Sequence, residues 1–252
     1  MRVTLIGSGN VATVLGRKIL HGGHLIHQVY NRSKDRALAL ASELSSEAVD
    51  EIDSGADIYI VAVADDALQN IAAWLKPVKG ILVHTAGSVS KDVLKDVSEN
   101  YGVLWPLQSI IKESTEVPVL PLLIDANNPW NKMKIKGFAQ SFADTVAEAD
   151  DEQRRKLHLA AVITNNFSNY LYTLTEKYCE TENVDFKLLL PLLNETTARM
   201  AYASPAGLQT GPAIRKDTST IEKHKEMLRD YPELLGVYEF FTGRIVSSAD
   251  TG

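Results

Sequence analysis

Cysteine is the scarcest residue of this chain: one, Cys179, in 252 residues. A lone thiol closes no internal disulfide, so burial and hydrogen bonding must hold the fold, and a reducing, cytoplasmic setting is expected. Histidine is nearly as sparse, with six in the chain. None stands at ligand spacing with cysteines or acids, and neither an HExxH nor a GxSxG sequence occurs. No metal site is therefore expected, and a hydrolase has little support. Positive charge is in deficit as well, 26 Lys and Arg against 32 Asp and Glu, for a net charge of -6. That balance argues against a nucleic-acid surface, which needs clustered cations. Long apolar runs are missing. The first extends only from Val3 to Ile6, short of the roughly 7–15 apolar residues of a secretory signal. Nothing approaches the roughly 20 residues of a membrane span, so no membrane partner is expected.

What is present is an ordinary soluble composition, 45% apolar and 23% charged, in a chain long enough for two cores. The first half alternates strand and helix patterns. RVTLI (2–6) is a β-rich run. Val11, Val14, Leu15 and Ile19 recur at helical spacing up to Gly22-Gly23, and LIHQVY (25–30) follows as a second strand. Ser33 stands where an N-cap opens an Ala- and Leu-rich helix reaching Leu44. The continuous apolar run IYIVAV within 56–63 fits a strand buried on both faces. Residues 66–75 read as helix, 80–84 as strand, a helix of about ten residues follows Ser90, and 101–104 is a strand. Segments 119–125 and 144–148 add edge strands around a helix at 129–142, with Pro118 and Pro121 suiting an edge. This alternation predicts an α/β fold, a doubly wound Rossmann-type parallel sheet. From Asp151 to Glu180 no strong breaker interrupts a helical pattern, and 184–202, 218–229 and 231–247 also read as helices. The expected domains are a dinucleotide-binding domain over 1–150 and an all-α domain over 151–252.

Gly7-Ser8-Gly9-Asn10-Val11-Ala12 is a GxGxxA sequence joining the first strand to the first helix. Gly7 permits the tight turn, Gly9 lets a pyrophosphate approach the backbone, and Ala12 allows helix and strand to pack closely. At the end of the second strand, where an NAD-preferring protein usually carries an acid, the chain has Asn31-Arg32-Ser33. Arg32 can pair with a 2′-phosphate, which favours NADP over NAD. As an alternative, Arg32 is a solvated loop residue and Ser33 only a cap.

Two strand ends and two helical segments carry the candidates for chemistry. Val63-Ala64-Asp65-Asp66 follows one buried strand, where Asp65 or Asp66 can also cap the next helix. His84-Thr85-Ala86-Gly87-Ser88 follows another. Thr85 offers a hydroxyl, Gly87 permits close backbone approach, and His84 either takes part or points into packing. On the long helix, His158 and Asn165 lie seven residues apart, two turns on one face of an unbroken helix, with Val162 between them. An imidazole ordinarily titrates near neutrality, which suits His158 for proton exchange with Asn165 orienting a substrate. Asn165-Asn166 can equally be amides satisfied by neighbouring backbone. In Thr210-Gly-Pro-Ala-Ile-Arg-Lys-Asp217, Arg215 can hold a substrate carboxylate or pair with Asp217, and His224 follows on the next helix.

Together GSGNVA, NRS, IVAVADDAL, HTAGS, WPLQS, HLAAVITNNFSNYL and TGPAIRKD make the chain resemble a family of Rossmann-like NADP-dependent oxidoreductases whose C-terminal helical domain has no characterised function. That family is similar to pyrroline-5-carboxylate reductase, the deazaflavin-dependent NADP oxidoreductases and the 6-phosphogluconate dehydrogenase superfamily. The resemblance covers essentially the whole chain. It implies NADP at Gly7, Ser8, Gly9, Asn10, Val11, Asn31, Arg32 and Ser33; from their own place at strand ends, Val63, Ala64, Thr85 and Gly87 are expected as further cofactor neighbours. It also implies a cleft between domains and a homodimer built on the helical domain. Related hydroxyacid dehydrogenases carry a lysine four residues before a helix asparagine; this chain has Ala161 and Val162 there. Trp105-Pro106 stands where His-Pro is common, so no histidine role carries over to that position. The expected activity is NADP(H)-dependent hydride transfer to or from a small polar substrate, with catalytic candidates His158, Asn165 and Arg215. The alternative is a non-catalytic NADP(H)-binding or sensing protein that acts through protein partners.

Overall fold

Short β-branched runs alternating with amphipathic helices place eight strands in one sheet. The computed structural model describes residues 1–113 and 119–249, and the chain divides into two compact units, Met1–Thr164 and Asn165–Gly252. Pro118 lies outside the described residues.

In the first unit the elements run β1 (Arg2–Ile6), α1 (Asn10–His21), β2 (Leu25–Tyr30), α2 (Lys34–Glu43), β3 (Glu47–Val49), β4 (Ile58–Val61) and α3 (Asp65–Gln69). They continue with β5 (Ile81–His84), β6 (Tyr101–Pro106), β7 (Pro121–Ala126), α4 (Pro129–Gln140), β8 (Thr145–Glu148) and α5 (Asp151–Ala161). The strand order is β3-β2-β1-β4-β5-β6-β7-β8. Every pairing is parallel except β6 with β7. This is the doubly wound Rossmann-type architecture, with one reversal. Val3, Leu5, Ile58, Ile60 and Val83 face α1, α2 and α4 through Leu15, Ile19, Leu40, Leu44, Ile135 and Phe138. The opposite face buries Ile6, Tyr59, Val61 and Leu82 against Leu68, Ile71, Leu94 and Val97. A sheet covered on both faces explains why β1, β4 and β5 read as continuous apolar runs.

Several local expectations are corrected. The three-residue edge strand β3 has too little pattern to be read from sequence. Residues 66–75 yield the short α3 and then a 3-10 turn at Ile71–Ala73, not one helix. Ser90 does cap, its Oγ accepting from the Asp92 N–H, but the segment it opens is a 3-10 turn over Lys91–Leu94, not a helix of about ten residues. Pro121 opens β7, which lies between β6 and β8 rather than at the sheet edge. As the first residue of its strand it can be accommodated there, because no earlier ladder bond is lost.

Helix α5 begins with a capping box, Asp150 accepting from the Gln153 N–H at 2.8 Å while the Gln153 side chain accepts from the Asp150 N–H at 3.1 Å. The expected domain start at Asp151 coincides with the first residue of α5, whereas the compact units divide further on, after Thr164. The long helix is not one α-helix. Val162–Phe167 forms a π turn, after which α6 (Ser168–Thr181) resumes. Nothing in VITNNF breaks a helix by composition, so this change of pitch has no propensity signal.

The second unit comprises α6, α7 (Leu190–Arg199), α8 (Thr218–Met227) and α9 (Pro232–Ala249). Its buried apolar residues among those described are Leu174, Cys179, Ala213, Ile221 and Leu228. Among the described residues, no residue of α7 or α9 is buried. No described helix is long and apolar enough to cross a membrane.

Candidate functional site

The strand order turns back at β1 and β4, and at such a switch point the carboxyl ends of the strands leave a crevice. Gly7 lines it with φ +118°, in the left-handed region. A Cβ there would sit 2.1 Å from the Ala62 carbonyl oxygen, so no other residue fits. The Gly7 N–H donates to the Tyr30 carbonyl at 2.8 Å, tying the turn to β2. At Gly9 a Cβ would meet nothing within 4 Å, which leaves space above the backbone. Gly9 is the N-cap of α1, no side chain caps the helix, and no acid lies in its first turn. The first N–H groups of α1 therefore lack an intrahelical acceptor and stand at the positive end of the helix dipole. An open, uncapped helix start beside an obligatory glycine fits a pyrophosphate.

This turn opens onto a cleft of about 1580 Å³ within the first unit. Gly7, Ser8, Gly9, Asn10 and Val11 line it along the β1–α1 turn, and Asn31 and Arg32 line it at the end of β2. Val63 and Ala64 follow β4, and Thr85 and Gly87 follow β5. Ser33 is the one expected cofactor residue not among the lining. It takes the N-cap position of α2 without a side-chain cap bond. Asn31 Nδ2 donates to the Ser33 carbonyl at 3.2 Å. Arg32 is exposed and makes no hydrogen bond or ion pair among the described residues, so its guanidinium is open to an anion.

Sequence reasoning missed several lining residues. Arg36 lies in the first turn of α2, four residues after Arg32, a spacing the sequence did contain. Arg17 on α1 pairs with Glu43 at 2.5 Å and donates to the Lys112 carbonyl at 2.8 Å, while Asn10 Nδ2 donates to the Ile110 carbonyl at 2.9 Å. These bonds bring the segment after β6 back to the phosphate turn, and no local signal announces them. Tyr30 and Trp74 also line the cleft.

The far end of the cleft is reached by His158. A Cβ on Gly87 would lie 2.8 Å from Trp105 Cε2 and 3.1 Å from His158 Nδ1. The Trp105 and His158 rings meet edge to face, with centroids 5.9 Å apart. Close backbone approach at Gly87 is thus what seats the imidazole at the wall. One turn earlier on the same face of α5, Arg154 is 1% exposed. Its Nη2 donates to the Val89 carbonyl at 2.5 Å and to Asp151 Oδ1 at 2.8 Å. Asp151 also accepts from Ser90 Oγ, and from the Lys91 N–H at 3.2 Å. Burial works against the Asp151 charge, but the bonds from Ser90, Arg154 and Lys91 outweigh it and hold the carboxyl below its usual range. The 85–91 turn is therefore gripped by the first turns of α5.

His84 lies beneath this grip. It is fully buried and accepts the Ala86 N–H on Nδ1 at 3.2 Å, so it belongs to packing and does not line the cleft. Burial, and then the Arg154 charge, push its pKa down from 6.5 to about 4. Asp65 and Asp66 lie in the first turn of α3, with Ala64 as N-cap, and Asp65 accepts from Ser88 Oγ at 2.6 Å.

In the second unit, Asn165 and Asn166 fall in the π turn and are exposed, so they are not buried amides seeking backbone. The seven-residue spacing from His158 equals two turns only in an unbroken α-helix, and the wider π turn removes that equivalence. Arg215 is exposed and its charge helps hold Asp217, the N-cap of α8, below its usual pKa, behind the bonds from Thr220. His224 Nδ1 is hydrogen-bonded to Tyr238 OH at 3.0 Å within that unit.

Fold and cleft define a dinucleotide-binding domain of the oxidoreductase type, and comparison places it more narrowly. Residues 2–86 match the model for coenzyme F420-dependent NADP oxidoreductases, and residues 120–245 match a domain of unknown function, DUF2520. A protein of Bacteroides fragilis assigned as an NADP oxidoreductase, BF3122, is 34% identical, with 98% of each chain covered and a TM-score of 0.89. The chain belongs to this family of NADP oxidoreductase domains joined to DUF2520. Protein TM1727 of Thermotoga maritima shares the fold at 20% identity, covering 98% of this chain and 99% of that one, with a TM-score of 0.81. So does a reductive aminase of Aspergillus terreus in complex with NADPH and ethyl-5-oxohexanoate, at 16% identity, 98% and 94% coverage and a TM-score of 0.71. No curated protein matches the chain.

The buried His84 generates a pH prediction. The unfolded chain takes up a proton on this residue near 6.5, the folded chain only near 4, so stability falls as pH drops through that window. Between pH 7 and pH 5 the loss should be on the order of 2 kcal/mol, measured by urea unfolding. His84→Gln, which can still accept the Ala86 N–H, should flatten this slope; equal slopes in both proteins would remove His84 as its cause.

Proposed function

We propose that the protein is an NADP(H)-dependent oxidoreductase that transfers a hydride to or from a small polar substrate. The observation that carries this reading is the joining of three features in one cleft: the uncapped α1 start behind Gly7, the unpaired Arg32, and the half-buried His158 against Gly87. Backbone N–H groups of the Gly7–Val11 turn would hold the pyrophosphate, with Arg32 and Arg36 on the 2′-phosphate, where a guanidinium pairs better than an ammonium. Ser33 is retained as a neighbour of that phosphate through its place after Arg32. Val63, Ala64, Thr85 and Gly87 would form the wall along the rest of the cofactor. The nicotinamide supplies the hydride chemistry when bound. His158 exchanges the accompanying proton, with Nδ1 the ring nitrogen beside Gly87. Asn165 and Arg215 are retained on sequence grounds as orienting and carboxylate-binding candidates. A cytoplasmic setting rests on the single, buried Cys179.

We further propose a homodimer through the helical unit. Helices α7 and α9 bury none of their residues, and Leu188, Leu192, Tyr202, Phe240 and Phe241 are each more than half exposed. Large apolar side chains exposed in this number on one helical unit are what an interface would cover. Light scattering should give twice the 27.7 kDa chain mass; a monomer at micromolar concentration would refute the dimer.

The cofactor reading is tested by calorimetric titration with NADPH and NADH. NADPH should bind tighter, and Arg32→Ala should weaken NADPH by about tenfold, the scale of a lost charge-assisted bond, while sparing NADH. If neither dinucleotide binds, the reading fails. His158→Ala should lose at least about a hundredfold in turnover while retaining NADPH affinity; unchanged turnover would remove His158 from the chemistry. NADPH binding without turnover on carbonyl or imine substrates would favour the sensing alternative, which the absence of a lysine at Ala161 and Val162 also supports.

A further inference from the structure

Trp74 is an exposed indole on the cleft that the phosphate-binding argument does not use. It lies in the turn after α3 and is 37% exposed. It is not a loose surface side chain. Its Nε1–H donates to the Ala67 carbonyl at 3.2 Å, and its ring lies nearly parallel to that of Tyr30, 13° between planes with centroids 6.2 Å apart. Tyr30 is the last residue of β2 and directly precedes Asn31 and Arg32. The aromatic pair therefore stands at the β2 end of the cleft, and His158 lies at the end bordered by β5. Asn70, between α3 and Trp74, lines the same stretch and is held by its own bond to the Asp66 carbonyl at 3.0 Å.

We infer that Trp74, backed by Tyr30, is a stacking platform for the adenine base of the dinucleotide. This rests on the NADP(H) reading. A 2′-phosphate at Arg32 fixes the adenosine ribose at the end of β2, because the phosphate is esterified to that ribose. The base attached to the same ribose must then lie within a few ångströms of the β2 end. The flat apolar surface presented there is the Trp74–Tyr30 pair. An indole already oriented by its Nε1 bond and its neighbour loses little conformational freedom on stacking, which is where preorganised binding gains its affinity. The partial exposure of an otherwise restrained tryptophan has its explanation here, since the bound base covers it.

The test uses the full chain and adenosine 2′,5′-bisphosphate, which carries the base, the ribose and the 2′-phosphate but no nicotinamide. Calorimetry with wild type, Trp74→Ala and Trp74→Phe reads the affinity, and thermal melting of each confirms that it is folded. Removing a stacked aromatic face should weaken both this probe and NADPH by about tenfold in Trp74→Ala. Trp74→Phe should recover most of the loss, because it restores a ring but not the Nε1 donor. Binding to wild type should also quench tryptophan emission, and less so in Trp74→Phe. Equal affinity of Trp74→Ala and wild type would overturn the stacking role and leave the cofactor reading standing. A Trp74→Phe defect as large as that of Trp74→Ala would assign the effect to the Nε1 bond and overturn stacking. Failure of wild type to bind either the probe or NADPH would overturn the cofactor reading, and this inference with it.

Discussion

The approach of the Gly7 backbone to the Ala62 carbonyl sets the geometry on which the rest of the first unit depends. Strands β1 and β4 run side by side, and the chain leaving β1 must turn into α1 within the space that β4 allows. A side chain at position 7 would drive the two strand ends apart or tilt α1 away from the sheet. With glycine there, α1 starts directly over the end of β1, its first N–H groups face the crevice, and Ala12 packs flush against the sheet, fully buried. A helix start open to an anion is thus a by-product of a packing solution.

A second constraint holds the opposite wall. Arg154 is buried with its Nε and Nη1 unpaired, an arrangement that costs free energy in isolation. It persists because Nη2 joins Val89 and Asp151, so one guanidinium fixes both the 85–91 turn and the angle at which α5 leaves the sheet. Burial, and behind it the same charge, keeps His84 neutral, and His158 follows one helical turn further along α5. Removing Asp151 would leave the Arg154 charge buried and uncompensated, so the two side chains hold this geometry together.

Much of this was legible in the sequence because it follows from local rules. The GSGNVA turn, the alternation of apolar runs with helix starts, and the absence of an acid after β2 each have a short-range physical cause. The features that stayed hidden are set at long range or by geometry without a residue signature. Strand direction is one case: nothing in PLLIDA distinguishes a parallel from an antiparallel neighbour, so the reversal at β7 could not be read. The π turn at VITNNF is another, since its residues are acceptable in either helix. Trp74 carried no signal because a lone exposed aromatic has no spacing to interpret. Arg17 was missed because its partners, Glu43 and Lys112, come from distant parts of the chain.

The reversal at β7 has a consequence for how such a protein can change over time. Because β7 runs against β6, with Pro106 paired to Leu122, the connection between them leaves and re-enters the sheet at the cleft pole. Its length and composition are free of the strand register, yet the Ile110 carbonyl within it accepts from Asn10 of the phosphate turn, and the Lys112 carbonyl accepts from Arg17 of α1. Insertions or deletions there would remodel the cover of the cleft while leaving the core untouched. The scaffold and its selectivity can drift independently, and one antiparallel step in an otherwise parallel sheet is what separates them.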